Sequence, residues 1–184
     1  MTFADNQNPD PIFPAGLLSQ PDYGKPWRVA HTKSRREKAL AKYLADAGIG
    51  YYLPMYKRRQ TSQKRVRYSL MPLFQGYVFF QGDDFERHQA LRSNQIARVI
   101  DVEAPRQLVS ELSRIQQAIS AEAPVYPYDY VSEGETVRVK RGPLKDVEGI
   151  IVRKDRHCRL VLSVSTIMQS MAVTIDADMV ELIR

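Results

Sequence analysis

The chain has 184 residues, 43% hydrophobic and 26% charged, an ordinary globular composition with room for one domain or two small ones. Twenty-seven Lys and Arg against 21 Asp and Glu leave a formal charge of +6, which suits a polyanion or an acidic protein surface as partner or, alternatively, serves solubility alone. The single cysteine, Cys158, excludes an internal disulfide and a Cys-based zinc site and fits a reducing cytosol. No apolar run reaches the roughly 20 residues of a membrane span, and no secretory signal is present, so a cytoplasmic protein without membrane contact is expected.

Residues 1–26 carry Pro9, Pro11, Pro14, Pro21 and Pro26 with little apolar periodicity and read as a flexible tail. Order is expected from Trp27, where Trp27, Val29 and His31 alternate with Arg28 and Ala30 as in a strand. Ser34 followed by Glu37 predicts a capping box, and Leu40, Tyr43, Leu44 and Ala47 form the apolar stripe of a helix stopped by Gly48. Residues 49–56 read as a second strand that Pro54 ends, bulges or places at an edge. Lys57, Arg58, Arg59, Lys64, Arg65 and Arg67 then put six basic residues within eleven positions, with no acid among them. Val66, Tyr68 and Leu70 alternate with the last of these, which predicts a basic loop feeding a strand.

From Gly76 a buried or half-buried strand is expected, with Tyr77 and Phe79 on one face and Val78 and Phe80 on the other. Asp83 or Asp84 caps a short helix to about Arg92, residues 96–102 form a strand, and Leu108, Leu112, Ile115 and Ile119 mark a third helix after Pro105. Residues 121–133, with two prolines and no helical period, read as a linker. Beyond it, short strand-like runs at 136–140, 149–153, 159–164, 171–175 and 179–183 predict a small all-β barrel over 134–184. In that region Gly142-Pro143 turns the chain, and Gly149 permits a close backbone approach.

His31, His88 and His157 are scattered, with no paired metal spacing, no nucleophile elbow and no P-loop, so neither catalysis nor a metal or cofactor is expected. The elements over 27–120 alternate strand, helix, two strands, helix, strand, which suits an antiparallel sheet with helices on one face, an α+β class. If Val78 and Phe80 face the helices, Tyr77 and Phe79 emerge on the open face as a candidate binding surface, unless the third helix or a loop covers them.

Three segments in order (the opening from Trp27, the run from Pro72 to Phe80, and Gly134 to Val152) together resemble the NusG family of transcription factors. The resemblance covers residues 27–184. It implies an N-terminal polymerase-binding domain of the NGN type over 27–120 and a KOW-type barrel, acting without enzymatic activity as a monomer. It implies that Leu73, Phe74, Tyr77 and Phe79 grip the clamp helices of RNA polymerase, suppressing pausing and termination. It further implies that the barrel contacts the termination factor Rho or a small-subunit ribosomal protein. Lys33, Arg35 and Arg36 resemble the basic helix start that faces non-template DNA in specialised RfaH-type paralogs. Gln75 stands where the family often has proline, which predicts a looser turn and favours such a paralog. An RNA-binding or ribosome-associated module is the alternative, because the basic run from Lys57 to Arg67 suits nucleic acid under either reading.

Overall fold

The structure is a computed structural model that describes residues 8–19, 24–62, 65–131, 134–154 and 157–183. The chain divides into two compact units, residues 1–105 and 106–184. In the first unit the elements run β1 (Ile12–Phe13), β2 (Trp27–Thr32), α1 (Glu37–Asp46), β3 (Gly50–Tyr52), β4 (Met55–Ser62), β5 (Arg65–Pro72), β6 (Tyr77–Gln81), α2 (Asp84–Arg92) and β7 (Ile96–Asp101). Five of these strands form a sheet in the order β1-β3-β6-β2-β7, antiparallel at every pairing. Among the described residues, strands β4 and β5 pair only with each other.

Strand alternation sorts the sheet. Ala30, Tyr51, Val78 and Phe80 join Leu40, Ala41 and Leu44 of α1 and Ala90 of α2 in one core. Val78 and Phe80 therefore do face the helices, and each large side chain buried there is worth roughly 1.5–3 kcal/mol. Arg28, buried among the strands, donates to Asp101 Oδ1 at 3.0 Å and to Asp84 Oδ1 at 2.7 Å, tying β2 to β7 and to α2.

Three local expectations are corrected. Residues 8–19 are not simply tail: Ile12 and Phe13 pair with Tyr52 and Tyr51, Leu53 N–H donates to Pro11 O at 2.7 Å, and Leu17 and Leu18 are buried. Tyr51 Oη also donates to Asp10 O at 2.8 Å. The segment covers the edge of β3, and Pro11 and Pro14 flank it where a ladder need not continue. The rest of the expected tail, apart from residues 24–26, lies outside the described residues. Second, Ser34 does not cap α1; the helix begins after Arg36, whose side chain makes no cap bond, and Glu37 is drawn elsewhere. The expected box exists instead on α2, where Asp83 accepts from Glu86 N–H at 2.8 Å and Glu86 Oε2 accepts from Asp83 N–H at 2.8 Å. Third, the basic run is no loop: Lys57, Arg58 and Arg59 lie on β4, and Arg65 and Arg67 on β5, the two strands of a hairpin.

In the second unit α3 (Pro105–Ser120) precedes β8 (Val125–Tyr128), β9 (Glu135–Val139), β10 (Glu148–Lys154), β11 (His157–Val164), β12 (Gln169–Ile175) and β13 (Val180–Leu182). These six strands form an antiparallel sheet in the order β13-β9-β10-β11-β12-β8. The five expected strands are present. A sixth, β8, arises within the presumed linker, where Val125, Tyr126 and Tyr128 favour extended backbone and Pro127 is tolerated on an edge strand. Helix α3, expected with the first sheet, falls after its first residue in the second unit. Its Glu111 accepts from Ser165 N–H at 3.2 Å and Ser165 Oγ at 2.9 Å, and its Arg114 donates to Glu148 at 3.2 Å. The fold class is α+β, an antiparallel sheet with helices followed by a small antiparallel β domain.

Candidate functional site

The longest uninterrupted pairing is the β4–β5 hairpin, in register from Met55↔Pro72 to Ser62↔Arg65. An isolated two-stranded ribbon is marginal in water, so its root matters. Met55 and Pro72 are buried there, Leu73 N–H donates to Pro54 O at 2.8 Å, and Lys38 Nζ donates to Leu70 O at 2.6 Å. Partial burial holds the Lys38 ammonium below its usual range, with Glu37 opposing that shift and Lys42 adding to it.

Away from the root the ribbon is exposed and sorted by alternation. Lys57, Arg59, Val66 and Tyr68 share one face; Arg58, Gln60, Arg67 and Ser69 share the other. Each described cation lies opposite a neutral residue: Lys57 opposite Leu70, Arg58 opposite Ser69, Arg59 opposite Tyr68, and Arg67 opposite Gln60. Like charges directly across a ladder would repel, so this register lets a strongly basic sequence form a strand. Among the described residues no carboxylate bridges Lys57, Arg58, Arg59 or Arg67. Lys64 lies outside the described residues, and Arg65 ends the ladder.

The second candidate surface is the face of the sheet turned away from α1 and α2, with Val29, His31, Tyr77 and Phe79 on adjacent strands. Here the expectation holds in part. Tyr77 is half-buried, its ring 5.1 Å from that of His31. Phe79 does not emerge: it is 0% exposed, and Phe74 meets it edge-on at 6.3 Å. Leu73 and Phe74 are buried as well. The segment 73–76 folds back through Gly76 at φ +83°, a conformation that suits glycine.

Gln75 does not loosen that turn. Glu37 Oε1 accepts from Gly76 N–H at 2.7 Å, Gly76 O accepts from Thr32 N–H at 2.8 Å, and Phe74 O accepts from Tyr77 N–H at 3.3 Å. Glu37 is thus a positioning residue that sequence reasoning assigned to a helix cap. Its buried carboxylate at the start of α1 was the available signal, because an acid there suits the positive end of the helix dipole. Of the other basic candidates, Lys33 donates to Asn94 Oδ1 at 2.6 Å, and Arg35, at φ +58°, and Arg36 are exposed. These three occupy the β2–α1 turn, a separate element from the hairpin.

In the second unit Gly142 takes φ +88° ahead of Pro143, and Val139 N–H donates to Val147 O at 3.0 Å across the turn. A β-carbon on Gly149 would lie 2.7 Å from Val161 O, so the expected close approach is there. Arg138 grips Glu148 Oε1 through Nη2 at 2.7 Å and Nε at 3.1 Å, which holds the Glu148 carboxyl below its usual range. Cys158 is buried in β11 as a free thiol.

An antiparallel sheet with helices on one face and a long basic ribbon in the connection between its adjacent strands β3 and β6, followed by a small β domain, defines a class of α+β binding modules. Residues 25–119, more than half of the chain, match the family model of NusG, described as transcription termination factor nusG, and the chain belongs to the NusG family. The family comprises non-enzymatic, cytoplasmic transcription factors of elongation and termination that generally bind RNA polymerase. No curated protein matches the chain. Among the described residues no helix is long and apolar enough to cross a membrane.

Proposed function

We propose that this chain is an antitermination factor that docks on the clamp helices of RNA polymerase through Tyr77, with Leu73, Phe74 and Phe79 forming the floor beneath it. The family match over residues 25–119 is the observation that carries the reading. Tyr77, half-buried beside His31, is the member of the four with surface to offer a partner. Lys33, Arg35 and Arg36 face non-template DNA in this reading. The second unit acts as a KOW-type barrel, turning at Gly142, Pro143 and Gly149, that recruits Rho or a small-subunit ribosomal protein. Gln75, standing where the family often has proline, favours a specialised RfaH-type paralog.

The test is co-purification of tagged full-length chain with polymerase, together with terminator read-through in transcription reactions. Tyr77→Ala should lose both, because an interface aromatic contributes on the order of 2 kcal/mol or more. Undiminished binding by a folded Tyr77→Ala variant would sink the docking assignment. Genome-wide occupancy on a few long operons supports the specialised role; occupancy of most transcription units points to a general factor. The second reading, an RNA-binding or ribosome-associated module, is favoured by the hairpin's unneutralised cations and predicts co-sedimentation with ribosomes in the absence of polymerase.

A further inference from the structure

The hairpin holds more than positive charge. Phosphate contact alone needs cations and polar donors, and the face with Arg58, Gln60, Arg67 and Ser69 supplies those. The other face differs. Tyr68 is 59% exposed and Val66 43% exposed, two residues apart on the same strand, with Arg59 directly opposite Tyr68. Alternate residues on a strand are about 7 Å apart, so the ring and the branched side chain form one short apolar step bordered by Lys57 and Arg59. Nothing in the sheet core requires an aromatic there, because the root is already closed by Met55, Pro72 and Leu73.

We propose that the β4–β5 hairpin is a binding finger for single-stranded nucleic acid, with Tyr68 as a stacking platform for an unpaired base and Arg59 and Lys57 on the flanking phosphates. The inference rests on the reading of the basic run as a nucleic-acid contact and deepens it by naming the strandedness of the ligand and the residue that reads it. In a duplex the base faces are occupied by their neighbours and a tyrosine ring has nothing to stack on. An unpaired strand offers a free π-face at every base, which makes stacking tolerant of sequence. Arg58 and Arg67, on the opposite face, add the long-range attraction that makes such binding salt-dependent.

The experiment uses the full-length chain without polymerase and measures fluorescence anisotropy with labelled 12-mers of oligo-dT and oligo-U and with a 12-base-pair duplex, at two salt concentrations. The expected result is tighter binding of a single strand than of the duplex; whichever oligomer binds more tightly identifies DNA or RNA as the source. Tyr68→Ala should weaken single-strand binding about tenfold and leave the duplex unchanged, while Tyr68→Phe retains affinity. Arg58→Gln with Arg67→Gln should weaken both ligands and flatten the salt dependence. Equal affinity for duplex and single strand, or a Tyr68→Ala variant of unchanged affinity, overturns the proposal, as does absence of oligonucleotide binding. Circular dichroism checks that the exposed substitution leaves the fold intact. Polymerase co-purification is read separately: its loss in Tyr77→Ala with oligonucleotide binding intact separates failure of docking from failure of the finger.

Discussion

The hairpin and the sheet face turned away from α1 and α2 are both candidate contact surfaces, yet they are built in opposite ways. On the sheet face, Phe79 is 0% exposed and locked edge-on against Phe74, and the turn at Gly76 is held by the buried Glu37. On the hairpin, the cations and Tyr68 stand in water, and the strands are joined by their own ladder. Side chains of the first kind serve fold and contact at once, so a loss of activity on mutation confounds the two. Side chains of the second kind carry little of the fold, so their mutation reads contact directly. The contrast identifies which substitutions are informative: Tyr77, at the border, is a cleaner probe of docking than Phe79.

The sharpest way to break this comparison is Phe79→Ala. Emptying a fully buried aromatic site should cost about 3–5 kcal/mol and lower the denaturation midpoint markedly. A change below 1 kcal/mol, measured by denaturant unfolding, would show that the face is not a core. Glu37→Ala comes next: it strands the part-buried Gly76 N–H and should cost about 1–3 kcal/mol, with Glu37→Gln recovering much of that because an acceptor oxygen remains. Equal losses in the two variants would deny that the Gly76 bond is what matters.

Tyr51→Phe removes the bond to Asp10 O and should cost about 1 kcal/mol at neutral pH. It has a second signature. Burial, aided by Asp10 and Asp46, pushes the Tyr51 phenol up to about 12. A raised phenol favours the neutral form in the fold, so its contribution is fully present below pH 10 and is lost as pH rises from 10 to 12. Denaturation midpoints across that window should fall less steeply in the variant than in the parent. Burial raises Tyr52 too, so part of the slope remains. The smallest effect belongs to the hairpin: Arg58→Gln should change stability by no more than about 0.5 kcal/mol. A larger loss, seen in the same unfolding assay, would mean the ribbon bears on the fold after all.

Much of the first sheet was legible because its elements carry strong local signals. The alternation of Trp27 to His31, the apolar stripe of α1 and the Asp83 cap of α2 all reappear where expected. What escaped depends on partners distant in sequence. Six cations in eleven positions look like a loop until the register shows a neutral residue opposite each described one. Ile12–Phe13 is too short to announce itself among prolines and becomes a strand only against Tyr51 and Tyr52. Val125–Tyr128 likewise needs β12. The candidate site divided on the same line: basic residues could be read from composition, whereas the burial of Phe79 and the role of Glu37 follow from how the 73–76 turn folds back.

The one-to-one pairing of the hairpin has a consequence for its length. Adding two residues to each strand would carry the tip about 7 Å farther while every existing side chain keeps its side. Adding one residue to each would turn newly placed tip residues to the opposite side, and adding one to a single strand would slip Tyr68 away from Arg59. The ribbon is therefore a ruler graduated in pairs: its reach can be reset in even steps without changing what either side presents.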